Sequence, residues 1–170
     1  MGSAKTREKL DESTLVVERY KDMVYAICLT HTRSRSDAED AFQEVFLTYH
    51  RKQPACVDEE HRKAWLIRAT LTVARRITSS TWRQRVDLGS PAVEVSEEFR
   101  FGIEEYDTLF SALVGLGENY RSVIHLFYFE DLSVAQIASV LDIEPSAVKM
   151  RLSRGRTMLR QAMTKEDSHV

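Results

Sequence analysis

The sequence predicts an all-α fold of two small helical lobes joined by an acidic linker, with a helix-turn-helix in the second lobe. Three observations carry that expectation. Only six Gly and three Pro interrupt 170 residues, and no alternating run flanked by hairpin turn residues suggests a strand. Apolar residues recur instead at intervals of three and four, the repeat of a helix with one buried face. The helical pattern fails over one stretch, "VDLGSPAVEVSEEFRFGIEE", where Gly, Ser and Pro gather among acids as in a tether. The expected division is therefore 1–86 for the first lobe, 87–104 for the linker and 105–170 for the second lobe.

The first lobe opens on a helix over Leu15 to Leu29, whose Val16, Tyr20, Met23, Val24 and Ile27 form one stripe. A second helix follows, capped by Ser36 with Glu39 three positions on as a capping box, and runs to about His50. Asp37 adds negative charge near its positive N-terminal end. Ala38, Ala41, Phe42, Val45 and Tyr49 make its buried stripe. Asp40, Gln43, Glu44 and Leu47 share another face at i, i+3, i+4 and i+7. That face reads either as a protein-docking surface or as an ordinary solvated one. After the loop "RKQPACVDEE", a long basic helix runs from about His61 to Gln84.

Charge is distributed in blocks, although the formal net charge is only −2. His61 to Val86 holds seven Lys or Arg and no acid. Asp87 to Glu118 holds eight acids and one Arg, and Pro145 to Lys165 is again basic with no acid. Blocks of opposite sign point to separate surfaces with separate partners. In the basic helix, Arg62, Lys63, Arg68, Arg75, Arg76, Arg83 and Arg85 are interleaved with Trp65 and Trp82, a combination suited to phosphate contact and base stacking. Trp65, beside Leu66 and Ile67, fits a core position equally well, whereas Trp82 sits among polar residues.

The second lobe reads as helices near Glu105 to Leu116, Asn119 to Phe129, Ser133 to Leu141 and Pro145 to Gln161. Ser133 with Gln136 is a second capping-box pattern. "LDIEP" is too short for anything but a tight turn, with Asp142 tolerating the left-handed region and Pro145 suited to a first helical turn. At about 100° per residue, Val148, Leu152, Gly155 and Leu159 fall on one side of the last helix. Lys149, Met150, Ser153, Arg154 and Thr157 fall on the other, flanked by Arg156 and Arg160. A helix, a short turn and a second helix with an apolar back and a cationic front make a helix-turn-helix, whose second helix fits the major groove of DNA. The competing reading is a solvated basic face on a packing helix.

No catalytic chemistry is apparent in the sequence. His31, His50, His61, His125 and His169 are scattered, and neither a phosphate-binding Gly loop nor a run of metal-ligand spacing occurs. Neither a cofactor nor a resident metal is expected, with a grouping of Cys56, His50 and His61 as the remaining alternative. Two cysteines without CxxC spacing fit a reduced cytoplasmic protein, Cys28 being a buried thiol. "MGSAKTREKLDEST" lacks the apolar core of a signal peptide, and no membrane insertion is expected.

Taken in order, these segments resemble the extracytoplasmic-function class of bacterial RNA polymerase sigma factors, in the sigma-70 family. "DAEDAFQEVFLTYHR" is similar to the helix that docks on the clamp helices of the polymerase largest subunit. "KAWLIRATLTVARRITSSTWRQR" is similar to the helix that engages and opens the downstream promoter element. "LSVAQIASVLDIEPSAVKMRLSRGRTML" is similar to the helix-turn-helix that reads the upstream element. The resemblance implies docking through Asp40, Gln43, Glu44 and Leu47 and DNA contact by Arg68, Arg75, Arg76, Trp82 and Arg83. It implies upstream reading through Ser146, Lys149, Met150, Ser153, Arg154 and Arg156. The implied partners are core RNA polymerase (clamp helices and flap), promoter DNA and an anti-sigma factor. The chain departs from its relatives with Asp142 for a common Gly, Met150 for a small hydroxyl residue, Thr72 for Asn and Arg76 for Asp. The rival reading is a stand-alone helix-turn-helix regulator with an N-terminal sensing or dimerisation lobe.

Overall fold

A computed structural model describes residues 2–32, 34–87 and 104–167, and among these every regular element is a helix. The chain divides into two compact units, 1–91 and 92–170. The expected linker lies almost wholly outside the described residues.

The first unit holds α1 (Gly2–Thr32), α2 (Arg35–Lys52) and α3 (Glu59–Asp87). Helix α1 exceeds the expected span at both ends. Its first turns, rich in Ala, Lys, Arg and Glu, are good helix formers although they bury nothing before Ser13. From there Val16, Tyr20, Met23, Val24 and Ile27 are all buried, as the stripe predicts. They pack with Ala38, Ala41, Val45 and Tyr49 of α2 and with Leu66, Ile67 and Ala74 of α3. Phe46 joins this core, whereas Phe42 is only half-buried, edge-on to Tyr25 and Phe46 at 5.9 and 5.0 Å between ring centroids. Trp65 is half-buried at the edge of this core, meeting the Tyr49 ring edge-on at 5.6 Å between centroids. Burial of each large side chain contributes about 1.5–3 kcal/mol, so the three-helix core dominates the stability of this unit.

The helix boundaries correct the expected caps. The N-cap of α2 is Ser34, not Ser36: Ser34 is extended (φ −142°, ψ 145°) and its hydroxyl accepts the Asp37 N–H at 3.0 Å. Two serines offer the same chemistry here, and the end of α1 decides between them. Thr32 Oγ1 lies 2.8 Å from the Cys28 carbonyl and 3.2 Å from the Ser34 carbonyl, which fixes the chain at Ser34 before the helix starts. Ser36 then lies inside the first turn, and Glu39 pairs with Arg35 at 3.5 Å instead of closing a capping box. Helix α2 continues past His50 to Lys52, where Gln53 turns left-handed (φ 43°) and donates its N–H to the Tyr49 carbonyl at 2.9 Å. Helix α3 begins two residues before the expected His61 because Asp58 accepts the His61 N–H at 2.7 Å.

The second unit holds α4 (Glu104–Gly115), α5 (Glu118–Tyr128), α6 (Val134–Leu141) and α7 (Pro145–Asp167). Its core is Leu113, Val114, Val123, Ile124, Leu126, Ile137, Val140, Val148 and Leu152. Arg121, buried on α5, donates to the Val114 carbonyl at 3.2 Å and so ties α4 to α5. Gly155 permits the close approach of α7 to α5, since a Cβ there would stand 3.0 Å from Ile124 Cγ1. Helix α7 runs past the expected Gln161.

Candidate nucleic-acid interface

Local hydrogen bonds at both ends of α6 build the helix-turn-helix. Ser133 and Gln136 complete the capping box in both directions: the Gln136 N–H reaches Ser133 Oγ at 3.1 Å, and the Ser133 N–H reaches Gln136 Oε1 at 2.9 Å. At the other end Asp142 adopts φ 54°, ψ 51°, and the Ile143 N–H donates to the Ala138 carbonyl at 3.0 Å. This is the six-to-one bond of a Schellman stop, with an aspartate where glycine usually serves. Glu144 then accepts the N–H groups of Ala147 and Val148 at 2.9 and 3.2 Å, and Pro145 opens α7 at no hydrogen-bond cost.

That turn sets the rotation of α7. Val148, Leu152 and Gly155 face the core, and Leu159 is half-buried. Ser146, Lys149, Met150, Ser153, Arg154, Arg156, Thr157 and Arg160 are exposed on the opposite side. Met150 is 45% exposed, an apolar side chain within the polar ridge. No ion pair engages Lys149 or Arg154 among the described residues, so the ridge keeps its positive charge available for phosphate or guanine edges. Arg156 differs: its guanidinium donates to the Tyr128 hydroxyl on α5 at 3.2 Å. No local spacing signals this contact, which joins residues 28 positions apart.

In the first unit the described arginines of α3 differ in their surroundings. Arg68, Arg75, Arg76 and Arg83 are exposed along the helix. Arg62 is not available to a phosphate. It donates to the Tyr49 hydroxyl at 3.0 Å, pairs with Glu59 and lies 3.6 Å from Glu12, locking the three helices together. Tyr20 completes this cluster through its hydroxyl, 2.5 Å from Glu59 Oε2. Thr72 turns its hydroxyl back onto the Arg68 carbonyl at 2.8 Å. The side chain of Trp82 lies outside the described residues.

On α2, Asp40 and Gln43 are exposed, Leu47 is 58% exposed and Glu44 is partly covered. The four share one face as the spacing predicts. Glu44 also pairs with Arg76 of α3, a link between two residues the sequence assigned to separate surfaces. Beside this face, Lys21, Asp22, Tyr25, Glu39, Phe42 and Gln43 surround a depression of about 410 Å³. Asp37 accepts from Thr81 at 3.3 Å, and Thr78 donates to the His31 carbonyl at 2.9 Å, which pins the later turns of α3 to the α1–α2 junction.

Cys28 is buried, whereas Cys56 is half-buried and interacts electrostatically with Tyr49 and Arg62. Burial pushes the Cys28 thiol up to about 12, which keeps it protonated and unreactive. The alternative grouping of Cys56, His50 and His61 does not form. His50 Nδ1 bonds Ser13 Oγ at 2.8 Å, His61 Nδ1 accepts the Val57 N–H at 3.3 Å, and no metal-holding group of three His, Cys, Asp or Glu occurs among the described residues. No helix among those residues is long and apolar enough to cross a membrane.

Comparison with known proteins matches both units. The family model for sigma-70 region 2 matches residues 16–85, and that for sigma-70 region 4 matches residues 107–159. The chain is 27% identical over 162 residues to the ECF RNA polymerase sigma factor SigW of Bacillus subtilis, covering 87% of each chain. It is 30% identical over 161 residues to the ECF RNA polymerase sigma factor SigL of Mycobacterium tuberculosis, covering 88% of this chain and 84% of SigL. Among solved structures, RpoE of Bartonella quintana, co-crystallised with the anti-sigma factor NepR, aligns with a TM-score of 0.68 at 21% identity, over 89% of this chain and 96% of RpoE. CnrH in complex with the cytosolic domain of CnrY aligns with a TM-score of 0.69 at 20% identity, over 96% and 94% of the two chains. At such identities the two structures speak for the fold.

Proposed function

This chain belongs to the extracytoplasmic-function class of the sigma-70 family of RNA polymerase sigma factors, and on that premise we propose how its two units divide the work of transcription initiation. Residues 1–86 dock on core polymerase through the α2 face of Asp40, Gln43, Glu44 and Leu47. Acids, an amide and an outward leucine suit a cationic partner surface with an apolar centre. Helix α3 holds the separating downstream promoter element through Arg68, Arg75, Arg76 and Arg83, with Trp82 as a stacking platform. Residues 87–104 serve as the acidic tether. Residues 105–170 read the upstream element, with α7 in the major groove.

The observation that carries the proposal is the α7 ridge: Lys149, Met150, Ser153 and Arg154 are exposed over a buried Val148–Leu152–Gly155 back. Lys149 and Arg154 suit guanine edges or phosphates, Ser153 either kind of partner, and Met150 the methyl group of thymine. Ser146 and Arg156 lie at the margins of the ridge and suit backbone contacts that fix register. The chain itself performs no catalysis in this reading and needs no cofactor, since the chemistry belongs to the polymerase. It acts in the cytoplasm, where core polymerase and the chromosome are. An anti-sigma protein is a fitting regulator, as RpoE was crystallised with one.

Transcription in vitro with purified core polymerase tests the reading. Adding the chain should give promoter-specific transcripts that core alone does not make. Binding to a two-fold operator by the chain alone, with no complex formed with core, would support the stand-alone regulator instead.

A further inference from the structure

We propose that Glu44 is an internal competitor for Arg76, so that docking on α2 and nucleic-acid contact by α3 favour one another. This coupling rests on the roles proposed above for the two helices. The ion pair between Arg76 and Glu44 joins α3 to α2 at an open edge of the first unit: the Arg76 side chain is 60% exposed and that of Glu44 38%. Each residue also belongs to a second surface. Glu44 shares the outer face of α2 with Asp40, Gln43 and Leu47, and Arg76 lies in the exposed cationic row of Arg68, Arg75 and Arg83.

An ion pair at such an edge is weak. Solvent screens it, and holding two long side chains in one geometry costs rotamer entropy. Weakness makes it exchangeable. A cationic surface settling on α2 takes up the Glu44 carboxylate and leaves the Arg76 guanidinium to a phosphate. A phosphate drawing Arg76 away leaves Glu44 to a cationic partner. The coupling is reciprocal, because binding free energies around a closed cycle must agree. By contrast Arg62 is 20% exposed and held by Tyr49, Glu59 and Glu12 together, so it stays in place whatever binds.

A charge-neutralising cycle in the full chain provides the test, with Glu44→Gln, Arg76→Gln and the double variant. Binding of the free proteins to a mixed-sequence single-stranded oligonucleotide is measured across a salt series, and binding to core polymerase is measured in parallel. Glu44→Gln should tighten oligonucleotide binding by about two- to five-fold, the range of an exposed ion pair. It should also steepen the log–log salt dependence by about 0.7, as one more phosphate contact would. Neither change should occur when Arg76 is already Gln. Arg76→Gln should tighten core binding by a similar factor while Glu44 is present. An equal gain from Glu44→Gln with and without Arg76, or no gain at all, would overturn the coupling, since only the general loss of an acid would then be at work. Failure of the unaltered chain to bind core would overturn the docking role and the coupling with it. Intact core binding with an unchanged salt slope overturns the coupling alone.

Discussion

Helices α3 and α7 are both basic, yet their cations have different surroundings. Between Pro145 and Lys165 no acid occurs, and none from elsewhere reaches Lys149 or Arg154 among the described residues. In α3, Arg62 meets Glu59 of its own helix and Glu12 of α1, and Arg76 meets Glu44 of α2. A run of positive charge therefore identifies a cationic helix, but only the fold shows which charges a nucleic acid would meet. In α7 the two descriptions coincide. In α3 they do not.

The largest way to break this comparison is to unseat α7. Leu152 is 3% exposed at the centre of its apolar back. Leu152→Ala should cost about 2–5 kcal/mol in the second unit, the usual range for a buried leucine. Thermal or denaturant unfolding would register the loss, and upstream-element binding should fall with it. Core binding through the first unit should persist. A second unit of unchanged stability would mean that α7 is not held by this face.

A finer cut compares three arginines in DNA binding. Arg154→Ala should cost about 1–3 kcal/mol at one base position and relax specificity there, if its contact to guanine is bidentate. Arg68→Ala should weaken binding evenly across sequences and flatten the salt dependence by nearly one phosphate. Arg62→Ala should leave the salt slope alone and lower the stability of the first unit by about 1–3 kcal/mol, because it removes charged hydrogen bonds that join three helices. Salt titrations on a panel of sequences, with unfolding curves beside them, separate the three. A flattened slope for Arg62→Ala would erase the distinction drawn within α3.

What the sequence made legible follows the same division. The stripes Val16–Tyr20–Met23–Val24–Ile27 and Val148–Leu152–Gly155 are local patterns with one period, and each is buried as expected. The Ser133–Gln136 box was equally legible, since both partners lie within one turn. The cap of α2 was misread because Ser34 and Ser36 offer the same hydroxyl, and only Thr32, at the end of the previous helix, distinguishes them. The Glu44–Arg76 pair and the Arg156–Tyr128 contact were invisible for a related reason. They join residues 32 and 28 positions apart, and no local spacing encodes how two helices are rotated against each other. The α1 extension to Gly2 was missed because a helix that buries nothing has no stripe to read, only propensity.

The smallest expected effect concerns the turn that aims α7. Asp142 stands at φ 54°, where an L-residue carries a steric cost that glycine avoids. Its side chain is exposed, so little packing is lost on removing it. Asp142→Gly should relieve the left-handed strain, although glycine also gains freedom in the unfolded chain. The two effects oppose each other, and the Schellman geometry, which glycine serves best, tips the balance to a gain of about 0.5–1 kcal/mol. Denaturant midpoints of the full chain, followed through the second transition if the two units unfold separately, would measure it. If the carboxylate does nothing beyond occupying this corner, upstream-element affinity should stay within about two-fold, a few tenths of a kcal/mol. A larger drop in affinity at unchanged or higher stability would mean that the aspartate helps aim the α7 ridge, and the turn would then belong with α7 in the reading surface.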